Sequence, residues 1–251
     1  MRGFPQGIPA AGAMAGMIGA TQTGGLALGL RFERSMLESA IVKELKRGHT
    51  ALSPDVWLVR INNELAVWKD YGRRGALGRA WGRYVIHRET RALEILSDVE
   101  GVPHLLGRVG TTGLVMSFCS GTIVPRRGIR QFLQPEFFDR ASTLLHEIHR
   151  CGVAHADIRR KNILVRPDGS PALIDFQTAV LRGESWWRSW LFAFFCRVDE
   201  WNLLRIKAKS FPHFLTEEEQ RKLACPPFWL RVGRFLRRDL YRRVKPKTRE
   251  Q

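Results

Sequence analysis

The stretch of sequence that most constrains the fold is "HADIRRKNILVRPDGSPALIDF", residues 155–176. Its segments "NILV" and "PALI" are predicted strands, because residues 166–170 between them combine proline, aspartate and glycine in a strong turn signal. If Arg166 faces Pro171, then Asn162 faces Asp175 at the open end of the hairpin. The pattern therefore predicts a hairpin that brings an amide oxygen and a carboxylate together.

A third oxygen-bearing side chain precedes this hairpin. Asp157 lies five residues before Asn162, on the loop that leads into the first strand. A small number of hard oxygen ligands suits Mg²⁺, which keeps several waters and is normally completed by substrate phosphates. Taken singly, Asp157 or Asp175 would equally serve as a loop cap. Taken together, the three side chains indicate a site for Mg²⁺ and a nucleoside triphosphate.

A small antiparallel sheet is predicted near the start of the chain. Its strands are "IVKELK" (41–46), "VWLVRI" (56–61) and "ELAVWKD" (64–70), with a tight-turn signal at Asn62-Asn63. In the third strand Lys69 falls on the same face as Leu65 and Val67, by the period of two. A lysine that extends an apolar face usually meets an anion.

The segment "RAWGRYVIHRETRALEILSDV" (79–99) predicts an amphipathic helix with an apolar stripe. The stripe comprises Trp81, Val85, Leu93 and Leu96, and Glu89 falls on it as well. An unpaired buried charge costs several kcal/mol, so Glu89 needs a cation. The two periodicities therefore predict that Glu89 pairs with Lys69, and the alternative is that both lie at the surface.

The order of these features resembles the protein-kinase-like superfamily over roughly residues 40–205: a strand lysine, a helix glutamate, H-x-D-x-x-x-x-N, a hairpin and I-D-F. Short atypical members of this superfamily share such features, notably two groups. They are the lipopolysaccharide core kinases, which phosphorylate Kdo or heptose sugars, and the RIO-type kinases, whose metal loop also carries Asp followed closely by Gln. The resemblance implies an α+β bilobal fold, with a small antiparallel-sheet N-lobe containing one long helix and a mainly helical C-lobe.

The resemblance also implies roles for individual residues. Lys69 would hold the α- and β-phosphates of ATP, and Glu89 would orient Lys69. Asp157 would align the acceptor hydroxyl as catalytic base, while His155 would brace the loop that carries Asp157.

The remaining expected positions bind the metal and the nucleotide. Asn162 and Asp175 would bind Mg²⁺. The adenine hinge would be lined by Met116, Ser117, Phe118 and Cys119. No G-x-G-x-x-G motif is present in the sequence, and "RGHTALSPD" (47–55) occupies its place. Thr50 and Ser53 of that segment are the candidate phosphate contacts.

The sequence departs from ordinary protein kinases in three further respects. "HAD" places Ala156 where the arginine that senses activation-loop phosphorylation is normally found, "DFQ" replaces DFG, and no APE motif follows. Only a short segment separates Asp175 from the aromatic run "WWRSWLFAFF" (186–195), where a protein kinase builds its peptide platform. These departures favour an acceptor other than an ordinary protein substrate.

Composition bounds the partners of the chain. Its 41 Lys+Arg against 24 Asp+Glu give a formal net charge of +17, which implies an anionic partner. The segment "FWLRVGRFLRRDLYRRVKPKTR" (228–249) carries nine basic residues and an apolar stripe at helical spacing. It predicts a basic amphipathic helix at an anionic membrane surface, with RNA as a second candidate and a solvated helix without a partner as a third. The aromatic run 186–195 fits either a lipid-interface helix or a buried helix of the C-lobe.

Four regions follow along the chain. Residues 1–35 are a predicted disordered tail or precede a true start nearer Met36, with a weak secretory signal as the alternative. The N-lobe is predicted over 36–118, including two strands within 101–121, and the C-lobe over 119–227, including a helix over 135–152. The basic helix and tail occupy 228–251. Four widely spaced cysteines indicate neither a disulfide framework nor a zinc site, so a reducing cytoplasm is expected.

The sequence thus predicts an ATP- and Mg²⁺-dependent kinase that phosphorylates a hydroxyl, favouring a saccharide or lipid-linked saccharide at the inner face of the membrane. The first alternative is a RIO-like serine/threonine protein kinase or ATPase. The second is a membrane-bound scaffold that keeps the fold but binds nucleotide poorly.

Overall fold

The computed structural model describes residues 30–50, 52–125 and 129–224. A six-stranded sheet with the order β1-β5-β6-β4-β3-β2 dominates its N-terminal half. All neighbouring strands in this sheet are antiparallel except β1, which runs parallel to β5. The strands of this sheet are β1 (Leu30–Arg31), β2 (Ile41–Lys46), β3 (Asp55–Ile61), β4 (Glu64–Asp70), β5 (Leu105–Val109) and β6 (Gly113–Ser117).

The three strands predicted at the start of the chain are confirmed as β2, β3 and β4. Asn62 and Asn63 join β3 to β4 with positive φ angles of 47° and 68°, a backbone that asparagine tolerates in tight hairpin turns. Because β4 lies between β3 and β6, Lys69 is flanked by Val56 and Leu114 near the middle of the sheet.

Helix α2 (Ala76–Ile95) packs against this sheet and confirms the predicted helix with shifted ends. Val85, Leu93 and Leu96 are buried as expected. The prediction that Trp81 lies on the buried stripe is wrong, since its side chain is 42% exposed. Its neighbour Gly82 faces the sheet instead, and a β-carbon there would lie 2.4 Å from Cβ of Tyr71. The close approach of α2 to Tyr71, the residue after β4, therefore requires glycine at position 82.

The C-terminal half is mainly helical, with several short strands. Its helices are α3 (Ile129–Phe132), α4 (Glu136–Arg150), α5 (Trp186–Ser210) and α6 (Glu217–Ala224). Its strands are β7 (Thr122–Ile123), β8 (Val153–Ala154), β9 (Ile163–Val165), β10 (Pro171–Leu173) and β11 (Val180–Leu181). One-turn 3-10 helices cover Arg160–Asn162, Phe176–Thr178 and Pro212–Phe214.

Helix α4 confirms the helix predicted over 135–152. The five side chains predicted to point inward are all buried: Phe137, Ala141, Leu144, Leu145 and Ile148. The helix is followed by Gly152 with a φ of 84°, a left-handed conformation that favours glycine after a helix end. Helix α4 then leads through β8 to the loop that begins at His155. The multi-stranded sheet and the mainly helical half confirm the predicted α+β bilobal fold class.

The predicted hairpin is present as β9 and β10, but its predicted register is wrong by one residue. Pro171 faces Val165 rather than Arg166. The backbone N–H of Arg166 donates to the carbonyl of Ser170 at 2.9 Å, so Arg166 closes the turn instead of pairing with Pro171. At the open end the N–H of Ile174 donates to the carbonyl of Asn162 at 3.0 Å. Asn162 therefore lies opposite the residue before Asp175.

Part of the predicted tail forms regular structure. Residues 30–35, expected in the tail, contribute β1 and the first turn of α1 (Arg34–Ser39). The guanidinium of Arg34 pairs with the buried carboxylate of Asp70, which ties this segment to the end of β4. The rest of the tail and the predicted basic helix at 228–251 lie outside the described residues. The boundary between lobes at residues 118 and 119 stays a prediction.

Candidate active site

Lys69 joins two carboxylates that come from different halves of the chain. Its Nζ donates to Oε1 of Glu89 at 2.6 Å and to Oδ1 of Asp175 at 2.9 Å. Strand β4 supplies Lys69, α2 supplies Glu89, and Asp175 follows β10. Lys69 and Glu89 are buried. The predicted pairing of Lys69 with Glu89 is therefore confirmed.

Burial and the neighbouring charges shift the pKa of each group in this cluster. Burial disfavours the ammonium of Lys69, but the charges of Asp175 and Glu89 outweigh it and raise the pKa of Lys69. Burial likewise disfavours the Asp175 carboxylate, yet Lys69 holds the pKa of Asp175 below its ordinary value. Burial raises the pKa of Glu89, against the opposing effect of Lys69. The cluster brings two acidic side chains to one base, an arrangement that favours a further cation.

His155 connects the loop before the hairpin to the strand that ends at Asp175. Its Nε2 lies 3.0 Å from the carbonyl oxygen of Ile174, and a proton on Nε2 would donate to that oxygen. Its ring centroid lies 4.7 Å from that of Phe176. His155 is fully buried. Its contacts therefore link the loop of Asp157 to the residues on both sides of Asp175, and the bracing role stays a prediction.

Asp157 and Asn162 are in direct contact. Nδ2 of Asn162 donates to the backbone oxygen of Asp157 at 2.9 Å and to its Oδ2 at 3.1 Å. The guanidinium of Arg159 also pairs with Oδ2 of Asp157. The sequence prediction had no role for Arg159, although its place two residues after the aspartate was a usable signal. The structure thus surrounds Asp157 with one amide and one guanidinium donor.

Asp199 of α5 is the second residue that the sequence prediction missed. Its Oδ2 accepts hydrogen bonds from the backbone N–H groups of His155 at 2.7 Å and Ala156 at 3.1 Å. It also lies 3.3 Å from Nε2 of His149, so this histidine contacts a buried carboxylate. Ala156 has a φ of 61°, in the left-handed region that β-carbons disfavour. The carboxylate of Asp199 therefore anchors the backbone of His155 and Ala156, including the left-handed conformation of Ala156.

Arg88, the neighbour of Glu89 in α2, links that helix to the segment after Asp175. Its Nη2 donates to the carbonyl oxygens of Thr178 and Ala179, each at 2.7 Å. Its guanidinium also lies 5.2 Å from the ring centroid of Tyr84. Helix α2 is thereby held against the turn at Phe176–Thr178. The carbonyl partners are far apart from Arg88 in the chain, and no local pattern indicates them.

The candidate hinge lies at the end of β6. Met116 is buried there, Ser117 and Cys119 are partly exposed, and Phe118 is exposed. The N–H of Phe118 donates to the carbonyl of Leu65 at 3.2 Å, which closes the hinge segment onto β4. The predicted hinge residues thus form the end of β6, the strand that pairs with β4 at Lys69, and the two positions after it.

The loop between β2 and β3 is anchored by a residue outside it. The hydroxyl oxygens of Thr50 and Ser53 lie 2.7 Å apart and bond to each other. Nε of Arg74 donates to the carbonyl of Ser53 at 2.9 Å, and its Nη2 donates to Oδ1 of Asp55 at 2.5 Å. The sequence prediction did not foresee this role of Arg74. The two candidate hydroxyls are therefore close together on a loop that Arg74 holds.

The side chains at the site fit a magnesium ion that arrives with a nucleotide. Among the described residues no group of three or more His, Cys, Asp or Glu side chains could hold a metal by itself. Mg²⁺ does not require such a group, because it commonly uses one or two carboxylates together with substrate phosphates and water. Asp175 and Asn162 offer one carboxylate and one amide oxygen, which is a donor set of this kind.

The fold, the Lys69 cluster and the loop from His155 to Asn162 agree with the protein-kinase-like superfamily. Residues 73–193, just under half of the chain, match the family described as RIO domain, and this match supports an atypical kinase of the RIO type. The match includes Glu89, Asp157, Asn162 and Asp175 but starts after Lys69. A RIO domain indicates kinase or ATPase activity in general. A search of the curated proteins found no match to the chain.

Proposed function

We propose that the chain is a Mg²⁺- and ATP-dependent phosphotransferase that transfers the γ-phosphate to a hydroxyl. The observation that carries this proposal is the position of Lys69 between Glu89 and Asp175, at 2.6 and 2.9 Å. Phosphoryl transfer depends on positioning and on charge stabilisation, and a preformed lysine with acidic partners supplies both. The RIO-domain match supports the same class of chemistry.

The proposed roles follow from the contacts of each side chain. The Lys69 ammonium would bind the α- and β-phosphates, while Glu89 keeps that ammonium directed into the site. Asp175 uses Oδ1 for Lys69, so its Oδ2 is the atom proposed for Mg²⁺, with the amide oxygen of Asn162 as a second ligand. When bound, Mg²⁺ would neutralise charge on the phosphates. Asp157 would align the acceptor hydroxyl and take up its proton.

Two segments of the N-terminal half, the end of β6 and the loop between β2 and β3, are the proposed contacts of the adenine base and the phosphates. Met116 and Phe118 at the end of β6 are the proposed contacts of adenine. Thr50 and Ser53 are proposed to donate their hydroxyls to the phosphates once they release each other. Because Arg74 anchors the backbone of this loop, the two hydroxyls can turn without moving the loop itself.

For the acceptor we favour a saccharide, free or lipid-linked. The segment between Asp175 and α5 forms one turn of 3-10 helix and then β11, which pairs with β8 beneath the site. This leaves little chain to build an extended platform for a peptide. A serine or threonine hydroxyl of a protein, or water in an ATPase reaction, is the second candidate, and the RIO-domain match favours it.

Asp175→Asn provides the test, because the exchange keeps the shape of the side chain but removes the charge that pairs with Lys69. ADP formation and Mg²⁺-dependent ATP binding by calorimetry are measured for the chain, for Asp175→Asn and for Asp168→Asn. Asp168 is a matched control, since it is an exposed aspartate at the tip of the same hairpin and its carboxylate accepts hydrogen bonds from Ser170, away from Lys69. We expect loss of ADP formation in Asp175→Asn and unchanged ADP formation in Asp168→Asn.

The same measurements distinguish a saccharide acceptor from water and can overturn the phosphotransfer proposal. ADP formation that rises with a saccharide supports the sugar acceptor, and ADP formation without any added acceptor supports the ATPase. Unchanged turnover in Asp175→Asn would remove the metal role of Asp175. If the unaltered chain bound no ATP in Mg²⁺, the phosphotransfer proposal would fail and a non-catalytic scaffold would take its place.

A further inference from the structure

The first turns of α5 expose three tryptophans. Trp186, Trp187 and Trp190 are 82%, 53% and 55% exposed. A tryptophan side chain offers a large apolar area, and three of them in one short segment are a costly surface to leave in water. No such cluster is needed to anchor α5, since the later residues Val198, Asp199 and Trp201 of the same helix are already buried.

These tryptophans belong to a continuous face of the helix. Trp186, Trp190, Ala193 and Arg197 follow one another at the spacing of one helical stripe, and all four are exposed. Trp190 stacks on Phe194, with ring centroids 5.8 Å apart. We call Trp186, Trp187, Trp190, Ala193 and Phe194 the aromatic face.

The aromatic face leads into a groove of about 950 Å³ between α4, α5 and α6. Apolar side chains of α4 and α5 form much of the lining of this groove, among them Phe138, Trp190 and Leu204. Charged side chains of both signs line its α6 side, among them Glu218, Glu219 and Lys222. The groove therefore has an apolar part beside the exposed tryptophans and a charged rim at α6.

Three arginines lie around the start of α5. Arg150, Arg182 and Arg188 line a second cavity of about 640 Å³, together with one acidic side chain, Glu184. Among the described residues none of the three arginines forms an ion pair, unlike Arg34, Arg74 and Arg91 elsewhere. The Arg182 guanidinium lies 4.8 Å from the ring centroid of Phe192, so it borders the helix directly. We call these three residues the arginine cluster.

The arginine cluster borders the aromatic face, since the Arg188 guanidinium lies 6.0 Å from the ring centroid of Trp187. We propose that the aromatic face, with the arginine cluster at its edge, docks on an anionic phospholipid membrane. Tryptophan prefers the boundary between headgroups and acyl chains, and arginine binds lipid phosphate with its planar donors. The net charge of +17 would attract the whole chain to such a surface. No helix among residues 30–50, 52–125 and 129–224 is long and apolar enough to cross a membrane. The proposed contact is accordingly with the surface of the bilayer.

Charge and shape favour lipid over two other partners. A second copy of the chain placed on the same face by a twofold axis would bring two arginine clusters close together, and like charges would oppose that contact. A nucleic acid would satisfy the arginines but has no apolar group to fill the adjoining groove. An anionic phospholipid supplies both a phosphate and an acyl chain. This proposal does not depend on the phosphotransfer proposal.

Vesicle sedimentation tests the proposed face in the full chain. One variant carries Trp186→Ser, Trp187→Ser and Trp190→Ser, and the other carries Arg150→Gln, Arg182→Gln and Arg188→Gln. Trp81→Ser and Arg83→Gln are the matched controls, because both residues are exposed on α2. Phosphatidylcholine vesicles are compared with vesicles that also contain phosphatidylglycerol, and circular dichroism checks that each variant is folded.

We expect the chain to bind vesicles that contain phosphatidylglycerol and to bind phosphatidylcholine alone much more weakly. Removal of three basic residues should weaken binding by about 100-fold, and removal of the tryptophans should also weaken it, while the controls bind like the unaltered chain. Absence of binding in the unaltered chain would overturn the proposal. So would binding by both variants as tight as that of the unaltered chain, which would place the contact elsewhere or show the face to be covered.

Two further outcomes would assign the same face to another partner. Self-association that disappears in the tryptophan variant would indicate a second copy of the chain. Binding of RNA that is tighter than binding of vesicles and is lost in the arginine variant would indicate a nucleic acid. Because none of these measurements uses ATP, their failure is separate from a failure of phosphotransfer.

Discussion

At the scale of single residues, Lys69 is the centre of the site, and its two partners differ in how far the sequence predicts them. The period of two in β4 and the helical period in α2 place Lys69 and Glu89 on inward faces, so their pairing follows from local patterns. The contact between Lys69 and Asp175 depends on how the two halves of the chain pack together. The periodicity of a single strand or helix does not predict it. Trp81 shows the limit of the same reasoning, because Gly82 takes the inward position beside Tyr71.

Glu89→Gln should lower kcat/KM for ATP by about 10- to 100-fold, because it weakens one charged hydrogen bond to Lys69 worth about 1.5–3 kcal/mol. Steady-state ADP formation measures this effect. Glu94→Gln is the control, since Glu94 lies on the same helix and pairs with Arg91 outside the site. If the two variants had equal kcat/KM, Glu89 would have no role in orienting Lys69.

At the scale of elements, the strands, the helices and the tight turns were largely predictable, and the side-chain contacts between distant elements were not. Helix α4, with its inward residues and its glycine stop, follows from periodicity and end signals. The hairpin β9–β10 follows from its turn residues, but the register failed because the bond between Arg166 and Ser170 sets where pairing starts. Asp199 and Arg88 act on backbone groups of distant segments. Such partners have no signature in the sequence around either residue.

Arg88→Met should loosen α2 from the turn that follows Asp175, because two hydrogen bonds from a charged group are lost. Glu89 moves with that helix, so we expect a fall of about 10-fold in kcat/KM for ATP with a smaller effect on the melting temperature. Arg91→Met is the control, as Arg91 is exposed and pairs only with Glu94. A loss of stability without a change in ATP kinetics would contradict this role.

At the scale of the whole molecule, the candidate site is assembled from both halves of the chain. The sheet and α2 provide Lys69 and Glu89, while the C-terminal half provides Asp157, Asn162 and Asp175. The α+β class and the order of these parts were predictable from the motif order. The added strand β1 was not, because two residues that pair with β5 leave almost no pattern in the sequence.

A ligand that bridges the two halves should stabilise the chain as a whole. MgATP should raise the melting temperature in proportion to the logarithm of its concentration, by a free energy of about 2.7 kcal/mol at one hundred times Kd. Differential scanning calorimetry measures the shift, and chelation of Mg²⁺ with EDTA should remove most of it. A shift that is unchanged by EDTA would show that ATP binds without the metal.

The ion pair between Arg34 and Asp70 also bears on which methionine could begin a working protein. Translation from the internal Met36 would omit β1 and Arg34. Among the described residues, the carboxylate of Asp70 would then keep the hydroxyl of Thr112, which donates to it at 3.3 Å, as its side-chain partner. The Arg34 side chain is 36% exposed, so its removal should cost less than the about 3–5 kcal/mol of a fully buried pair, but it would leave the buried carboxylate of Asp70 without its cation. The shorter product should therefore be less stable and more readily degraded by proteases in a cell, although every residue of the candidate site would be present in it.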